Sequence, residues 1–298
     1  MTRRPSAMAT ALAAALAVVG PASAETAAAA STDADKTITV ARLPLSMYSI
    51  NAAFVEIVAE EEGFSVTYLD GVHPDLFPAL ANGEADILTS IWLPYGHDTY
   101  WEAHKDEIIT LGAIFQNGVS FFVVPDYVDE SVQSVNDLAD PEMAERFQKV
   151  IPSIHRGTSM YDKSVAVVEQ YGLDAVGFEV EAGTVDSWNA ALGEAIENRA
   201  WIVFPLWEPQ YMNEAFDVRP LVEPQGVFGG REATFLAANR AWARSADPAL
   251  LSALSRINVS LEDLNRLDYQ VNVEGMAPRA AVEAYLEARP GLLERWTD

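Results

Sequence analysis

The sequence contains no cysteine. A chain without cysteine has no disulfide, no thiol nucleophile and no thiolate to hold a metal ion. It also lacks the residue through which a bacterial lipoprotein carries its lipid anchor. We therefore expect a fold that depends on its apolar core, for which the composition is sufficient, since half of the 298 residues are apolar.

Basic residues are scarce. The chain has 19 Lys and Arg against 44 Asp and Glu, which gives a formal net charge of -25. Nucleic acids and anionic membrane surfaces bind basic patches, so neither is an expected partner. The acidic excess mainly favours solubility, and it mildly favours a cationic or zwitterionic ligand over an anion.

Signatures of common enzymes and cofactor sites are also absent. The sequence has no phosphate-binding glycine loop, no HExxH metal motif and no GxSxG nucleophile motif. Only His97 and His104 of the four histidines lie close together, and no carboxylate pattern accompanies them. We expect no metal site, no cofactor and no enzymatic activity.

No apolar run reaches the ~20 residues of a membrane helix. The N-terminus instead has the form of a secretory leader, with two arginines, an alanine-rich apolar segment over residues 7–19, and Ala-Ser-Ala ending at Ala24. We predict a signal peptide over residues 1–24 and a flexible tether over residues 25–36. The mature protein is expected to be a monomer in the periplasm.

The pattern beyond the tether is that of an α/β protein. Apolar strands alternate with amphipathic helices over residues 37–91 and again over residues 150–206, and the chain ends in helices. We predict two lobes, each a mixed sheet flanked by helices, joined by a two-strand hinge. Lobe 1 comprises residues 37–123 and 234–298, and lobe 2 comprises residues 124–233.

Two predicted strands end in a tryptophan that is followed closely by proline. Residues 85–91 lead to Trp92 and Pro94, and the apolar run from residue 201 leads to Trp207 and Pro209. Ligands of α/β proteins bind beyond the carboxyl ends of the strands, so the two indoles are candidate walls of one pocket. The alternative is that each tryptophan packs in the core or at an interface.

Further side chains are candidates for the same pocket. Tyr48 and Tyr161 lie where predicted helices open, and their rings would attract a quaternary ammonium ion. Backbone N–H groups around Met47 and Thr158, at the starts of the same helices, would suit a carboxylate. His97, just beyond the first tryptophan, is a candidate for a polar contact.

Two stretches of the chain resemble the signature segments of a known family. They are GEADILTSIWLPYGHDTYWE (Gly83–Glu102) and WIVFPLWEPQYMNEAFDVRPLVEP (Trp201–Pro224). The segments they resemble belong to the substrate-binding proteins of glycine betaine, choline and related ABC importers, and the likeness extends over residues 37–286. The resemblance implies a type II-like two-lobe periplasmic binding protein, which closes on its ligand and presents it to an ABC permease in the inner membrane.

Carried over onto this sequence, the resemblance implies an aromatic cage. Trp92 and Trp207 are the implied cage walls. Tyr161 lies where relatives supply a further aromatic or polar contact, and Phe121 lies near a tyrosine position of some relatives. The implied ligand is a betaine-like quaternary ammonium or sulfonium osmolyte.

Two departures from the family pattern concern the ligand. Gln210 replaces the histidine that usually follows W-x-P, which keeps a donor for a carboxylate but removes a possible charge. The loop Leu43–Ile50 lacks the Trp and Asp found there in choline binders, and it offers Tyr48 as a substitute wall. Choline is therefore disfavoured, and glycine betaine, carnitine and dimethylsulfoniopropionate are the candidates.

Two other functions stay open. The same fold could act as a sensory module that passes its ligand to a receptor, which would share the pocket and differ only in partner. An enzyme of this fold, for instance a hydrolase using Glu208 and His97, would differ by turning its ligand over.

Overall fold

The computed structural model describes residues 36–298. The predicted signal peptide and all but the last residue of the predicted tether lie outside the described residues. Within residues 36–298 no helix combines the length and the apolar character that a membrane crossing requires.

The described chain first alternates three strands with three helices. These are β1 (Thr37–Arg42), α1 (Ser46–Glu61), β2 (Ser65–Asp70), α2 (His73–Asn82), β3 (Ile87–Leu93) and α3 (Asp98–His104). β1 pairs in parallel with β2 and β3, which confirms the predicted β-α-β-α-β order. Helix α1 begins earlier than the predicted start at Ile50, because the buried side chains of Met47 and Tyr48 extend its apolar face by one turn.

One long strand runs through both lobes. β4 (Ile108–Pro125) pairs antiparallel with β9 (Glu232–Asn239) up to Gly118, and with β7 (Phe204–Glu208) from Val119 onward. The sequence predicted two strands here, over residues 108–114 and 119–124. The structure has one, because pairing with β9 continues across the predicted gap in an irregular register.

The remaining strands and the short helices between them follow β4. They are α4 (Pro141–Ala144), β5 (Val150–Ser153), α5 (Ser159–Gln170), β6 (Glu179–Ala182), α6 (Val185–Glu197), α7 (Met212–Ala215) and β8 (Val218–Pro220). β5 and β6 form a parallel pair, and β8 pairs with β4. The larger sheet is mixed, with the order β2-β1-β3-β9-β4-β7.

Helices close the chain, and the last four of them pack on α1. The closing helices are α8 (Arg240–Ser245), α9 (Pro248–Arg256), α10 (Leu261–Asn272), α11 (Pro278–Glu287) and α12 (Leu292–Thr297). Phe54 of α1 packs edge-on against Tyr285 and Trp296, with ring centroids 5.6 and 5.8 Å apart. α1 is therefore buried on most of its surface, which gives its N-terminus a rigid base.

Below, lobe 1 denotes β1–β3, β9, α1–α3 and α8–α12, and lobe 2 denotes β5–β8 and α4–α7, while β4 belongs to both. The structure thus confirms the predicted α/β fold of two lobes. The residue bounds predicted for the lobes, 37–123 with 234–298 and 124–233, stay a prediction. Strand pairing itself changes partner between Gly118 and Val119.

Candidate ligand-binding site

A cavity lies between the two lobes, at the carboxyl-terminal ends of β3 and β7. The cavity has a volume of ≈ 50 Å³. On the same measure one water molecule needs ~10–15 Å³. Six residues singled out from the sequence line it: Met47, Tyr48, Trp92, His97, Thr158 and Trp207. The two strand-end tryptophans therefore face one space from different lobes.

Trp92 is held in place by its neighbours on β4. The ring of Phe115 meets the indole edge-on, with centroids 5.2 Å apart and planes at 79°. Gly118 leaves room for the far edge of the indole, since a Cβ at Gly118 would be 2.5 Å from Cζ3 of Trp92. The indole is almost fully buried and reaches the cavity with a small part of its surface.

Trp207 reaches the cavity from lobe 2. It pairs with Ser120 of β4, which also lines the cavity, because directly opposed residues of antiparallel strands share a face of the sheet. Trp188 of α6 stacks on Trp207. The buried indole nitrogen of Trp207 has no hydrogen-bond partner within residues 36–298.

The first turn of α1 forms the cavity wall on the lobe 1 side. Leu45, Met47 and Tyr48 line the cavity there. No side chain caps this helix start, so its first backbone N–H groups are not taken by a capping residue. The Tyr48 hydroxyl lies 3.2 Å from Nε2 of His73, which also lines the cavity on this side.

The start of α5 faces the cavity from lobe 2. Thr158 is its N-cap, and its hydroxyl accepts the backbone N–H of Tyr161 at 3.4 Å. Ser159 and Met160, the first two helical residues, line the cavity together with Ile154, which directly follows β5. Helix starts carry partial positive charge, so both α1 and α5 suit an anionic group of a ligand.

Two buried histidines lie side by side at the cavity. The rings of His73 and His97 have centroids 4.2 Å apart. Burial lowers the pKa of His73 to about 3, and burial together with the neighbouring His73 and Lys163 lowers the pKa of His97. Nδ1 of His97 accepts the backbone N–H of Trp92 at 3.0 Å, so the ring hydrogen of neutral His97 resides on Nε2.

The cavity also holds one buried carboxylate, from Glu232 at the start of β9. Its Oε2 accepts the backbone N–H groups of Tyr95 and Gly96 at 3.0 and 2.8 Å. Burial raises the pKa of Glu232 above its ordinary value, while these two hydrogen bonds and the charge of Lys163 lower it.

Three residues singled out from the sequence do not line this cavity. The Tyr161 hydroxyl instead accepts a hydrogen bond from the Arg156 guanidinium. Oε1 of Gln210 accepts the N–H of Met212 at 2.6 Å, so this side chain closes a turn of lobe 2. Phe121 points to the other face of β4 from the lining residue Ser120, because side chains alternate along a strand.

Sequence reasoning missed His73, Gly96, Glu232 and Ser120 as lining residues. Glu232 was left out because the strand was predicted to begin at Thr234, whereas β9 begins at Glu232 itself. A carboxylate at the head of an otherwise apolar strand was the available signal.

The chemistry of the described lining residues favours a cation over an anion. Rings, neutral histidines and a carboxylate suit a positive charge, and residues 36–298 contain no group of three His, Cys, Asp or Glu that could hold a metal ion. Glu208, the acid considered for a hydrolase, is not among the described residues lining the cavity.

The chain matches the model of a known protein family. The model described as the substrate-binding domain of an ABC-type glycine betaine transport system matches residues 36–288. The glycine betaine/carnitine transport binding protein GbuC of Listeria monocytogenes is 22% identical over 160 residues, 54% of this chain and 53% of that protein. The match thus spans about half the length of this curated relative.

Solved structures share the fold. Lactococcal OpuAC, in its closed-liganded conformation complexed with glycine betaine, matches with a TM-score of 0.81 and 23% identity over 89% of this chain and 100% of that chain. An ABC-transporter choline binding protein in complex with choline matches with a TM-score of 0.80 and 19% identity over 89% and 92% of the two chains.

Proposed function

Because the chain belongs to the family of substrate-binding domains of ABC-type glycine betaine transport systems, we propose that it captures a betaine-like quaternary ammonium or sulfonium ion. The cavity between the lobes is the proposed binding site. The protein acts in the periplasm as a monomer and delivers its ligand unchanged to an ABC permease in the inner membrane.

The observation that carries this proposal is the convergence of Trp92 and Trp207 on one cavity from different lobes. Tyr48 adds a third ring. A trimethylammonium group cannot donate a hydrogen bond, but ring faces within ~6 Å attract it by roughly 0.5 to 2 kcal/mol each. Three rings supply enough for micromolar binding when a second contact fixes the other end of the ligand.

The second contact in this proposal is made to the ligand carboxylate. Backbone N–H groups at the starts of α5 and α1 are the proposed donors, at Ser159 and Met160 and at Met47. The N–H of Thr158 is not one of them, because it donates to the carbonyl of His155. The Nε2–H of neutral His97 is a further candidate donor. Tyr161, Gln210 and Phe121 are not part of this proposed contact set, because they do not line the cavity.

Closure of the lobes completes the proposed cage. Each lobe contributes one tryptophan, so a ligand that touches both favours the closed arrangement over an open one. The permease is proposed to recognise that closed form.

Calorimetric titration of the purified protein tests the proposal. Glycine betaine, carnitine and dimethylsulfoniopropionate are the candidate ligands, and choline is expected to bind more weakly. Glycine is the matched control, because it has the same carboxylate and lacks the three methyl groups. We expect heat from at least one methylated candidate and none from glycine, with the ligand recovered unchanged. Absence of binding to every quaternary and sulfonium compound would overturn the proposal.

A further inference from the structure

Glu232 is a buried carboxylate whose charge is only partly compensated by the protein. Its side chain lines the cavity and the residue is 4% exposed. Taking an ionised carboxylate out of water is costly unless it is paired and hydrogen-bonded. The partners of Glu232 therefore indicate whether its role is structural or directed at a ligand.

The two oxygens of Glu232 differ in their partners. Oε2 accepts both backbone N–H groups of the turn after β3, from Tyr95 and Gly96. Oε1 accepts no hydrogen bond from residues 36–298 that meets ordinary geometry. Both N–H groups of the turn thus donate to Oε2, and Oε1 makes no hydrogen bond to the turn.

No cation of the described chain forms an ion pair with Glu232. Within residues 36–298 no lysine, arginine or histidine nitrogen lies within 4.0 Å of its carboxylate. Lys163 of α5 influences the carboxyl electrostatically, but its Nζ lies 3.4 Å from the carbonyl oxygens of Val227 and Phe228. The described lining residues include no lysine or arginine.

The free oxygen lies close to Trp92 in lobe 1. Gly96 separates it from Trp92, since a Cβ at Gly96 would be 2.7 Å from Cβ of Trp92 and 3.1 Å from Oε1 of Glu232. The Glu232 charge also raises the pKa of the Tyr48 hydroxyl, after the larger effect of burial. The carboxylate and two of the three proposed cage rings therefore lie on the same side of the cavity.

We propose that Glu232 is the counter-ion of the ligand's cationic head group and determines specificity for a permanent positive charge. This inference rests on the proposed function. The head group lies against Glu232 inside the proposed cage of three rings, and the ligand carboxylate points toward the start of α5. The ligand cation thereby supplies the ionic partner that the protein does not.

Replacing Glu232 by glutamine removes the charge and keeps an oxygen for the Tyr95 and Gly96 N–H groups. The probes are glycine betaine and 3,3-dimethylbutanoate, its analogue with carbon in place of the ammonium nitrogen. In the Glu232→Gln variant we expect glycine betaine to bind roughly 10- to 100-fold more weakly. We expect 3,3-dimethylbutanoate to bind as tightly as before or more tightly, because the variant lacks a charge that repels its carboxylate.

The opposite responses separate a counter-ion from a structural residue. If the substitution only damaged the turn after β3, both probes would bind more weakly to the same extent. That result would overturn the inference. Unchanged glycine betaine affinity would overturn it as well. Failure of wild-type protein to bind glycine betaine, carnitine or dimethylsulfoniopropionate would overturn the proposed function and this inference together.

Two further variants complete the experiment. Glu208→Gln makes the same change one residue from Trp207, outside the described cavity lining, and should leave both affinities within about twofold. Glu232→Asp keeps the negative charge and should keep the preference for the cationic probe even if its affinity falls. Loss of that preference in Glu232→Asp, with the fold intact, would contradict the counter-ion role.

Discussion

Trp188 stacks on Trp207 with ring centroids 4.9 Å apart and planes only 8° from parallel. Trp188 is fully buried on α6, and it also stacks on Phe204, at 5.0 Å and 23°. One face of the Trp207 indole is therefore covered by protein. A ligand can use only the remaining surface of that ring, and α6 fixes how this surface is presented.

Trp188 should consequently affect ligand binding without touching the ligand. We expect Trp188→Phe, which keeps an aromatic backing, to weaken binding by about 0.5 to 1.5 kcal/mol, the usual value of an aromatic pair. Trp188→Ala should also destabilise the fold by about 3 to 5 kcal/mol through the cavity it leaves. Calorimetry and urea unfolding measure the two effects. Unchanged affinity in both variants would show that Trp207 keeps its position without this support.

Trp207 itself should contribute directly to ligand binding. Trp207→Ala removes one proposed cage wall, and we expect a loss of roughly 1 to 3 kcal/mol in binding free energy. Trp201→Ala is the matched control, since Trp201 precedes β7 and packs against Phe147 and Arg146 away from the cavity. Equal affinities in the two variants would assign Trp207 to core packing instead.

The tryptophans could be placed from the sequence because their position follows from local rules. A buried strand closed by proline brings its last side chains to the edge of the sheet, and Trp92 and Trp207 lie one residue before the ends of β3 and β7. Both line the cavity. The parallel arrangement of β1–β3 follows from the alternation of apolar strands and helices, which is also a local property.

The residues that were missed or misplaced depend on packing between distant segments. Glu232 meets Tyr95 and Gly96 only because β9 inserts beside β3, a pairing that no local pattern reveals. Gln210 was expected to bind the ligand because of its place after W-x-P, but its side chain caps the following turn. A family pattern gives the position of a residue along the chain and leaves its side-chain direction open.

Gly118 should be essential for the position of Trp92. A Cβ at Gly118 would be 2.5 Å from Cζ3 of Trp92 and 3.2 Å from the Phe115 ring, so one of these rings must move. We expect Gly118→Ala to cost about 1 to 3 kcal/mol, the usual cost of overpacking, and to weaken ligand binding. Calorimetry measures the affinity, and tryptophan fluorescence reports the displaced indole.

Gly193→Ala is the matched control for Gly118→Ala, because it makes the same substitution at a position with room for a Cβ. Gly193 lies in α6, where the nearest atom to a new Cβ, on Phe216, is 3.6 Å away. This variant should keep its affinity and be slightly stabilised, by roughly 0.5 to 1 kcal/mol. If both glycine variants bind equally well, Trp92 does not need the space that Gly118 leaves.

The buried histidines should not titrate in the physiological range. Burial lowers the pKa of His73 to about 3 and also lowers that of His97, so both rings are neutral at pH 7. We expect their NMR ring signals to stay constant between pH 5.5 and 8, with the hydrogen of His97 on Nε2. A titration midpoint near the ordinary histidine value of ~6.5 would contradict this, as would a proton on Nδ1 of His97.

Asp268 links α10 of lobe 1 to the loop that follows Trp207. Its Oδ2 accepts a hydrogen bond from the backbone N–H of Tyr211 at 2.7 Å, and its Oδ1 accepts one from Nδ2 of Asn272 at 3.1 Å. The Ser46 hydroxyl at the start of α1 also lowers the pKa of this carboxyl. Burial nevertheless outweighs these hydrogen bonds and raises the pKa of Asp268 to about 6, from 3.8.

This shift predicts how stability depends on pH. Because the folded-state pKa lies above the unfolded one, the Asp268 contribution is fully present below about pH 3.8 and is lost as pH rises through about 6. Asp268→Asn stays uncharged, so relative to wild type its free energy of unfolding should rise by up to about 3 kcal/mol between pH 4 and 7. Urea unfolding across this range measures the difference, with Glu262→Gln, an exposed change on the same helix, as the control. A constant difference between Asp268→Asn and wild type would show that Asp268 ionises in the folded protein as it does in the unfolded chain.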